Sequence, residues 1–445
     1  MIPPPDSPYL SDASGFKGSA DRIFFPASEA EVSHILRDAA GARTPVTIAG
    51  AGSGLTGGRV PLSGWVLSLE RLNRVDVRSE LALCGAGALL RDLQDAANRS
   101  GQFYPPDPTE NSASVGGTIA TNASGSRSFR YGDTRRYVRA LRVVLASGEL
   151  LDLHRGEKPP FEIPSISAPA SRKNTAGYYM RPGMDFLDLF IGSEGTLGVI
   201  VEAELNLLRA PETLFTGVIF FGSDEAALDA VDQWRSIDGL RMLEYMDAQS
   251  LQILGEKACA ALIIEQEAED VEELWLARLE KAGADPDHSW FAASAADRER
   301  FRRFRHALPE AVNELVRKRG LTKMGSDFAV PISNNREMLR IYRTVLDREF
   351  PGRYAIFGHI GDAHLHVNIL PANDEEWRRG KVLMLQFARA AVSLGGTVSA
   401  EHGLGKRKKD LLELQYSAAD IEKMKAVKQR LDPDWVLGQG TLFDR

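Results

Sequence analysis

The sequence is poor in cysteine and contains no long apolar run. Its two cysteines, Cys84 and Cys259, are too few for a disulfide framework or for a cysteine-ligated iron–sulfur cluster, which generally takes four thiolates. No apolar stretch approaches the ~20 residues that a membrane-spanning helix requires. The opening Met1-Ile-Pro-Pro-Pro segment lacks the basic and apolar regions of a secretory signal. These absences predict a cytoplasmic protein, either free or peripheral at the inner face of the membrane.

The chain also lacks a strongly basic segment of the kind that binds nucleic acid. Its formal net charge is -7 at pH 7, so a nucleic acid is not an expected partner. The remaining composition, with 43% apolar and 26% charged residues, is typical of a globular protein. Because 445 residues exceed what one compact core usually holds, we expect two or three domains.

A glycine-rich loop, residues 49–58, follows the first predicted strand. Residues 29–40 have helical apolar spacing with Ser28 as a plausible N-cap, and residues 45–48 are strand-like. A strand followed by such a loop aims backbone N–H groups at phosphate oxygens. The loop has no Gly-Lys-Ser/Thr ending, so it is not a Walker loop, and its GxGxxG spacing alone does not require a Rossmann unit. Phosphate binding and a purely structural loop are the two alternatives.

Two further segments are rich in small residues. Residues 103–109 contain Pro105-Pro-Asp-Pro, and residues 114–125 contain a run of Gly, Ala, Ser and Thr. Small side chains suit a backbone that lies against a flat or extended ligand. A hairpin is predicted over residues 138–150, and another glycine-rich turn leads into a strand over residues 190–202.

Three of the eight histidines lie within eight residues of one another, in the segment 357–370. Apolar and β-branched residues flank a Gly361-Asp362 turn signal, which predicts two short strands joined by a tight hairpin. In that register His359 lies across from His364, and His366 shares a face with His364. Imidazoles gathered in this way suit zinc and related divalent ions. The hairpin alone does not distinguish His364 from His366 as a ligand.

A carboxylate for the same site is expected in residues 395–405. Glu401 and His402 are adjacent there and flanked by glycines, which allow the backbone to approach a ligand closely. A packed or surface position is the alternative for any single histidine. A structural zinc site is a further alternative, but such sites are usually closed, four-ligand and rich in cysteine.

Together these motifs resemble the FAD-linked oxidoreductases of the vanillyl-alcohol oxidase type. Within them the chain is most similar to the group of the glycolate oxidase flavoprotein, D-lactate dehydrogenase and D-2-hydroxyglutarate dehydrogenase. The resemblance covers nearly the whole chain and rests on the glycine-rich segments and on the His359 and Glu401 motifs. It implies an α+β fold in which residues 1–210 form an FAD-binding domain of two subdomains. Residues 211–445 would form a cap with a mostly antiparallel sheet and flanking helices, and the last ~45 residues would return to the FAD domain.

The resemblance also assigns residues to the cofactor. It gives the FAD pyrophosphate to the first loop and the rest of the cofactor to later segments. The assigned residues are Gly50, Ala51, Gly52, Ser53, Gly54, Leu55, Pro106, Asp107, Ser114, Gly116, Gly117, Asn122, Gly125, Gly198 and Ile200. Members with covalently attached FAD often carry a linking histidine in the first loop. This loop has none, so we expect FAD to be bound non-covalently.

Metal, substrate and proton-transfer roles follow from the same resemblance. The expected metal ligands are His359, His366 and Glu401, the expected base is His402, and the expected substrate contacts are Arg305, Lys323 and Asn368. The metal is expected to be one divalent ion, zinc or manganese. The resemblance also implies a strand at Asp327–Pro331, with a lysine just before it. Lys323 lies two places before the usual lysine position, so a solvent-facing lysine is the alternative. His364 stands where asparagine is common, which leaves ligand, substrate contact and packing residue all open.

The implied reaction is the FAD-dependent, metal-assisted dehydrogenation of a D-2-hydroxy acid to the 2-oxo acid. The substrate would be of the D-lactate, D-2-hydroxyglutarate or glycolate type. Electrons would pass to a separate acceptor, such as an electron-transfer flavoprotein, a quinone, a cytochrome or an iron–sulfur subunit. The alternatives are an oxygen-using oxidase of the same fold and a non-catalytic assembly subunit, and a homodimer is compatible with each. An assembly subunit should lose the Glu401-His402 pair or the glycine-rich loop, and this chain retains both.

Overall fold

Four sheets of two, three, five and seven strands organise the described residues. The computed structural model describes residues 1–4, 6–322 and 324–445. The helices are α1 Glu29–Gly41, α2 Leu90–Arg99, α3 Val115–Ala120, α4 Ser128–Tyr131, α5 Asp224–Trp234, α6 Ala248–Ile253, α7 Glu272–Ala282, α8 Ala295–Arg317, α9 Asn335–Glu349, α10 Asp374–Ser393, α11 Leu412–Gln415 and α12 Ala418–Leu431. Short 3₁₀ helices cover Pro8–Leu10, Thr134–Arg136, Phe186–Leu189, Ile332–Asn334, Ile360–Asp362 and Lys409–Leu411.

The strands alternate with these helices along the chain. They are β1 Arg22–Phe24, β2 Val46–Ala49, β3 Trp65–Ser68, β4 Val75–Arg78, β5 Leu81–Gly85, β6 Gln102–Phe103, β7 Val138–Val144, β8 Leu150–His154, β9 Val199–Asn206, β10 Leu208–Arg209, β11 Phe215–Phe221, β12 Leu240–Asp247, β13 Ala260–Gln266, β14 Ala284–Phe291, β15 Met324–Gly325, β16 Tyr354–His359 and β17 His364–Ile369. The mixture of helices and separate sheets confirms the predicted α+β class.

The first half contains a parallel sheet and an antiparallel sheet. The parallel sheet has the order β1-β3-β2, and the antiparallel sheet has the order β4-β5-β9-β7-β8. Ser28 caps α1 by accepting a hydrogen bond from the Glu31 backbone N–H, as its position in the sequence predicts. The predicted 138–150 hairpin is present, with Val144 paired with Leu150. The glycine-rich loop leaves the end of β2, so its backbone lies at the carboxyl edge of the parallel sheet.

The second half is built on a seven-stranded sheet with the order β14-β11-β13-β12-β16-β17-β15. Each strand pair in it is antiparallel. All residues of β11, β12 and β13 are buried, which shows that both faces of the central strands are covered. The sequence prediction of a strand at residues 327–331 is wrong. Only Ala329 pairs there, in single bridges to His364 and Thr397.

The C-terminal residues run beside the first half of the chain. The Val46 N–H donates to the Val436 carbonyl at 2.8 Å, and the Gly438 N–H donates to the Val46 carbonyl at 2.9 Å. Lys406 Nζ donates to the Gly58 carbonyl at 2.8 Å, so the C-terminal segment also holds the glycine-rich loop. The domain boundaries themselves stay a prediction. Among the described residues, no helix is long and apolar enough to cross a membrane.

Candidate active site

The hairpin β16–β17 has the register that the sequence predicts. His359 pairs with His364, and the chain reverses through Ile360–Asp362. Gly361 is required in this turn because an added Cβ would lie 2.8 Å from the Phe129 ring. The imidazole centroids of His359 and His364 are 5.3 Å apart, and those of His364 and His366 are 4.4 Å apart.

Glu401 joins these three histidines. One ligand atom from each of His359, His364, His366 and Glu401 lies within 4.8 Å of the other three. We call this group the histidine–glutamate cluster. The sequence prediction that the carboxylate comes from the distant glycine-flanked segment therefore has a geometric basis. Nitrogen and oxygen donors in this arrangement suit a zinc-type ion.

Hydrogen bonds orient two of the histidines for such an ion. His359 Nδ1 lies 2.6 Å from Glu244 Oε1, and His366 Nδ1 lies 3.0 Å from the Ser326 carbonyl. Both acceptors take a proton from Nδ1, so Nε2 of each ring is the nitrogen that can serve as a ligand. Although burial disfavours the charged ring, Glu244 and Glu401 raise the pKa of His359, so this imidazole would release its Nε2 proton on binding an ion. Burial, reinforced by the neighbouring imidazoles, holds the pKa of His366 well below its usual value. His366 is therefore a neutral imidazole, the form that binds metals.

Glu401 divides its two oxygens between the two halves of the chain. Oε1 accepts from Ser124 Oγ at 2.6 Å, from the Gly125 N–H at 3.0 Å and from Lys173 Nζ at 2.6 Å. Oε2 faces His359 Nε2 at 3.3 Å. Burial opposes ionisation, but the His359 and Lys173 charges hold the pKa of Glu401 well below its usual value. Since Oε1 is saturated by three donors, Oε2 is the oxygen available to an ion.

His364 lies at the back of the cluster and is fully buried. Its Nε2 is 3.1 Å from Asp327 Oδ1, and its Nδ1 is 3.5 Å from Lys173 Nζ and 3.8 Å from Glu401 Oε1. His364 Nε2 and Asp327 Oδ1 do not have the geometry of a hydrogen bond in spite of their short separation, and Nδ1 faces the cluster. Both a ligand role and a packing role fit these contacts.

Asp327 organises the loop that carries the expected base. Its Oδ2 accepts from the Ser399 hydroxyl at 2.7 Å and from the backbone N–H groups of Ala400, Glu401 and His402 at 3.2, 3.2 and 2.9 Å. Burial disfavours the charged form of Asp327, but the His402 and His364 imidazoles keep the pKa of Asp327 well below its usual value. One ionised carboxylate thus fixes residues 399–402.

His402 stacks on His366 with ring centroids 5.6 Å apart and planes 14° from parallel. Its Nδ1 lies 3.6 Å from Asp327 Oδ1, and its side chain is 27% exposed, so the ring remains within reach of a small molecule. Burial lowers the pKa of His402, while Asp327 acts in the opposite direction. The ring is therefore neutral near pH 7 and can accept a proton.

The structure connects Arg305 to the cluster through Glu244. Arg305 Nε and Nη2 lie 2.9 and 2.7 Å from Glu244 Oε2, and Nη1 lies 3.4 Å from Thr109 Oγ1. Burial disfavours the charged form of Glu244, but Arg305 and His359 outweigh this effect and lower the pKa of Glu244 to about 2. Asn368 is buried on the hairpin, with Nδ2 3.5 Å from the His366 carbonyl. The third expected substrate contact, Lys323, lies outside the described residues.

The glycine-rich loop and the start of α3 form one cradle. A Cβ on Gly50 would lie 2.4 Å from Ser114 Oγ, so the two backbones are in close contact. Ser114 Oγ caps α3 by accepting from the Gly117 N–H, and Gly52 has φ +88°, which favours glycine. The N–H groups of Val115, Gly116 and Gly117 are bonded to the Ala88 carbonyl, the Ala86 carbonyl and Ser114 Oγ, so backbone donors to a ligand on this surface would come from the loop. These residues fit a pyrophosphate, which needs close backbone approach.

The other expected FAD residues extend from this cradle. A Cβ on Gly125 would lie 2.0 Å from the Asp107 carbonyl oxygen, so residues 107–108 and 125 are in contact. Asn122 has φ 48° and is held by Asp133, to which its amide donates at 2.9 Å. Gly198 and Ile200 lie on or beside β9, which packs against α3. Gly125 also binds Glu401, so the expected FAD surface and the histidine–glutamate cluster meet.

Three buried residues at the cluster were not predicted from the sequence: Lys173, Glu244 and Asp327. Glu244 carries a signal, because it is a charged residue inside a continuously buried strand. Asp327 begins a segment that is predicted to be a strand, and nothing in the neighbouring sequence indicates the hydrogen bonds that its side chain accepts. Lys173 stands in an irregular polar stretch and is recognised only from its contact with Glu401.

Comparison with known proteins agrees with this architecture. A family model described as "FAD binding domain" matches residues 20–154, and one described as "FAD linked oxidases, C-terminal domain" matches residues 210–442. The chain belongs to the FAD-linked oxidase family. The sequence-based resemblance is confirmed, and this FAD-linked oxidase is an FAD-dependent oxidoreductase.

Curated relatives of this FAD-linked oxidase cover nearly its whole length. A D-lactate dehydrogenase of Anaerostipes hadrus is 31% identical over 90% of this chain and 84% of its own. A D-2-hydroxyglutarate dehydrogenase of Xanthomonas citri pv. viticola is 32% identical over 95% of this chain and 89% of its own. A solved alkyldihydroxyacetonephosphate synthase shares the fold with a TM-score of 0.67 at 18% identity, covering 94% of this chain and 76% of that one.

Proposed function

We propose that this FAD-linked oxidase dehydrogenates a D-2-hydroxy acid to the 2-oxo acid with the help of one divalent ion. The observation that carries the proposal is the contact of Glu401 with both sites. Its Oε1 accepts from the Gly125 N–H of the expected FAD surface at 3.0 Å, and its Oε2 faces His359 Nε2 at 3.3 Å. A substrate at the ion would therefore lie beside the flavin. The names of the curated relatives support the same substrate class.

FAD would be held non-covalently by Gly50 to Leu55 and the start of α3, with Asp107, Asn122 and Gly125 along the rest of the cofactor. When bound, the flavin accepts the hydrogen that leaves the substrate Cα as a hydride. Pro106, Gly198 and Ile200 would complete the surface. In this proposal the protein contributes orientation and exclusion of water.

His359, His366 and Glu401 would hold the ion, zinc or manganese, through Nε2, Nε2 and Oε2. Such an ion lowers the pKa of a bound hydroxyl group and fixes its orientation. Ser326 and Glu244 set the tautomers of the two histidines, and Lys173 with Ser124 leaves one Glu401 oxygen free. His364 would serve either as a further ligand through Nδ1 or as a packing residue.

His402 would accept the proton of the substrate hydroxyl group. Its neutral imidazole stacks on His366, and Asp327 accepts a hydrogen bond from its backbone N–H, so both its ring and its backbone are held in place. An Asp327 carboxylate 3.6 Å from Nδ1 stabilises the imidazolium that forms. Arg305, through its Nη1 group, and Asn368 would contact the substrate, and a contact from Lys323 is part of the same proposal.

Electrons would leave through a separate acceptor, since the two cysteines, Cys84 and Cys259, are too few to ligate an iron–sulfur cluster. A direct test supplies the purified, FAD-loaded protein with D- and L-2-hydroxy acids and an artificial acceptor dye, and measures the 2-oxo acid formed. We expect product from a D-acid and none from its L-enantiomer. Equal turnover without dye, in air, would favour the oxygen-using alternative. No 2-oxo acid from any member of the panel would overturn the proposed substrate class.

A further inference from the structure

Glu244 occupies an unusual position for a carboxylate. It lies in the middle of β12, whose eight residues are all buried, and its side chain is 3% exposed. Burial of an ionised carboxylate is unfavourable unless charged or hydrogen-bonding partners compensate for it, and apolar residues usually serve the fold better. The presence of Glu244 here therefore points to the geometry that it imposes on its partners.

The two oxygens of Glu244 hold different partners. Oε1 lies 2.6 Å from His359 Nδ1, while Oε2 receives Arg305 Nε at 2.9 Å and Nη2 at 2.7 Å. A carboxylate that accepts a hydrogen bond from one nitrogen of a metal-binding imidazole fixes the ring and makes the other nitrogen a stronger electron-pair donor to the metal. A guanidinium held through two nitrogens is likewise fixed in orientation, and the third nitrogen of Arg305, Nη1, has only the long 3.4 Å contact with Thr109 Oγ1.

We propose that Glu244 is a positioning residue that fixes His359 toward the ion and Arg305 toward the substrate carboxylate. The inference rests on the proposed function, because it assumes an ion at His359. It adds a physical link between the two binding events: a change at Arg305 alters the ion site through one shared carboxylate, although Arg305 itself makes no contact with the cluster histidines.

The chain offers a matched control for Glu244 in Glu265. It lies on the neighbouring strand β13, is also buried, and is also held by arginines, with its Oε1 2.9 Å from both Arg127 Nε and Arg241 Nε. The partners of Glu265 do not include a cluster residue. A general effect of neutralising a buried carboxylate in this sheet should therefore appear in both variants, and a positioning effect only in Glu244→Gln.

The test is zinc affinity of the FAD-loaded protein, measured by competition with a coloured chelator. We expect Glu244→Gln to weaken zinc binding by about 10–100-fold, the usual effect of losing an outer-sphere partner. Glu265→Gln should leave it unchanged. Flavin absorbance and the unfolding midpoint report that each variant is folded. Zinc binding that weakens equally in the two variants, or in neither, overturns the inference.

A second variant keeps the test decisive if Glu244→Gln does not fold. Arg305→Gln should weaken zinc binding in the same direction by a smaller factor and should raise KM more than it lowers kcat. Unchanged zinc affinity in Arg305→Gln overturns the link through Glu244, even if KM rises. If the wild-type protein binds neither zinc nor manganese, the ion proposal itself is overturned. If the wild-type protein binds the ion and the variants bind it equally well, only the positioning role of Glu244 is overturned.

Discussion

The Gly125 backbone N–H donates a hydrogen bond to Glu401 Oε1 at 3.0 Å, across 276 positions of the sequence. Gly125 belongs to the segment expected to line FAD, and Glu401 belongs to the histidine–glutamate cluster. Ser124 and Lys173 bind the same oxygen. Two sites that lie in different halves of the chain therefore share one carboxylate, and a small molecule held by the cluster would be within reach of both.

Replacing His402 with alanine should leave a folded, yellow protein whose turnover is reduced at least about a hundredfold, because a positioned general base typically contributes that much. Turnover with an acceptor dye and the flavin spectrum measure the two properties separately. His154, a half-exposed histidine at the end of β8, provides the control, and His154→Ala should be as active as wild type. Near-normal turnover in His402→Ala would remove this residue from the base role.

Removing divalent ions should abolish turnover while FAD stays bound, because the cluster donors do not belong to the cofactor cradle. The measurement is turnover of protein dialysed against a chelator, with residual metal determined by elemental analysis. Addition of zinc or manganese should restore activity. Full activity in protein shown to be free of metal would contradict the assignment of His359, His366 and Glu401.

Asp327→Ala should destabilise the protein by about 3–5 kcal/mol, since it removes a buried ionised partner from several donors. Four hydrogen bonds from residues 399–402 end on Oδ2 of this side chain. Urea denaturation followed by tryptophan fluorescence would report the loss. An exposed residue of α2, Asp95, gives the control, and Asp95→Ala should change stability little. Equal effects of the two substitutions would contradict the organising role of Asp327.

Gly50→Ala should lower FAD retention, because the new methyl group would lie 2.4 Å from Ser114 Oγ and separate the loop from α3. The ratio of flavin to protein absorbance after gel filtration measures this effect. Gly41, the last residue of α1, has no atom within 4 Å of an added Cβ, so Gly41→Ala should retain FAD fully. Normal flavin content in Gly50→Ala would show that the loop does not hold the cofactor closely.

The sequence predicts the hairpin well because its signals are local. The Gly361-Asp362 turn and the alternation of side chains are enough to place His359 across from His364, as the register confirms. The strand predicted at residues 327–331 is wrong for an equally local reason. Pro331 has no N–H, and the backbones of Asp327 and Val330 bond to Ala400 and Ala363 in neighbouring loops, which leaves Ala329 as the only residue of this segment in a β-bridge.

The contacts that complete the cluster could not be predicted, because they join distant parts of the chain. Glu244 is 115 positions from His359, and Lys173 is 228 positions from Glu401. Periodicity and turn signals describe neighbours of the same element and contain no information about which sheet edge a distant loop will reach. The buried charge of Glu244 indicates a partner, and only the fold identifies that partner as His359.

The most direct test of the account is the flavin spectrum of the purified protein, recorded without oxygen before and after adding D- and L-2-hydroxy acids. We expect one D-acid to bleach the flavin band within seconds in metal-loaded protein, and the same acid to leave the band unchanged after the ion is removed. A band that no hydroxy acid bleaches, in protein with a full complement of FAD and metal, would contradict the proposed reaction.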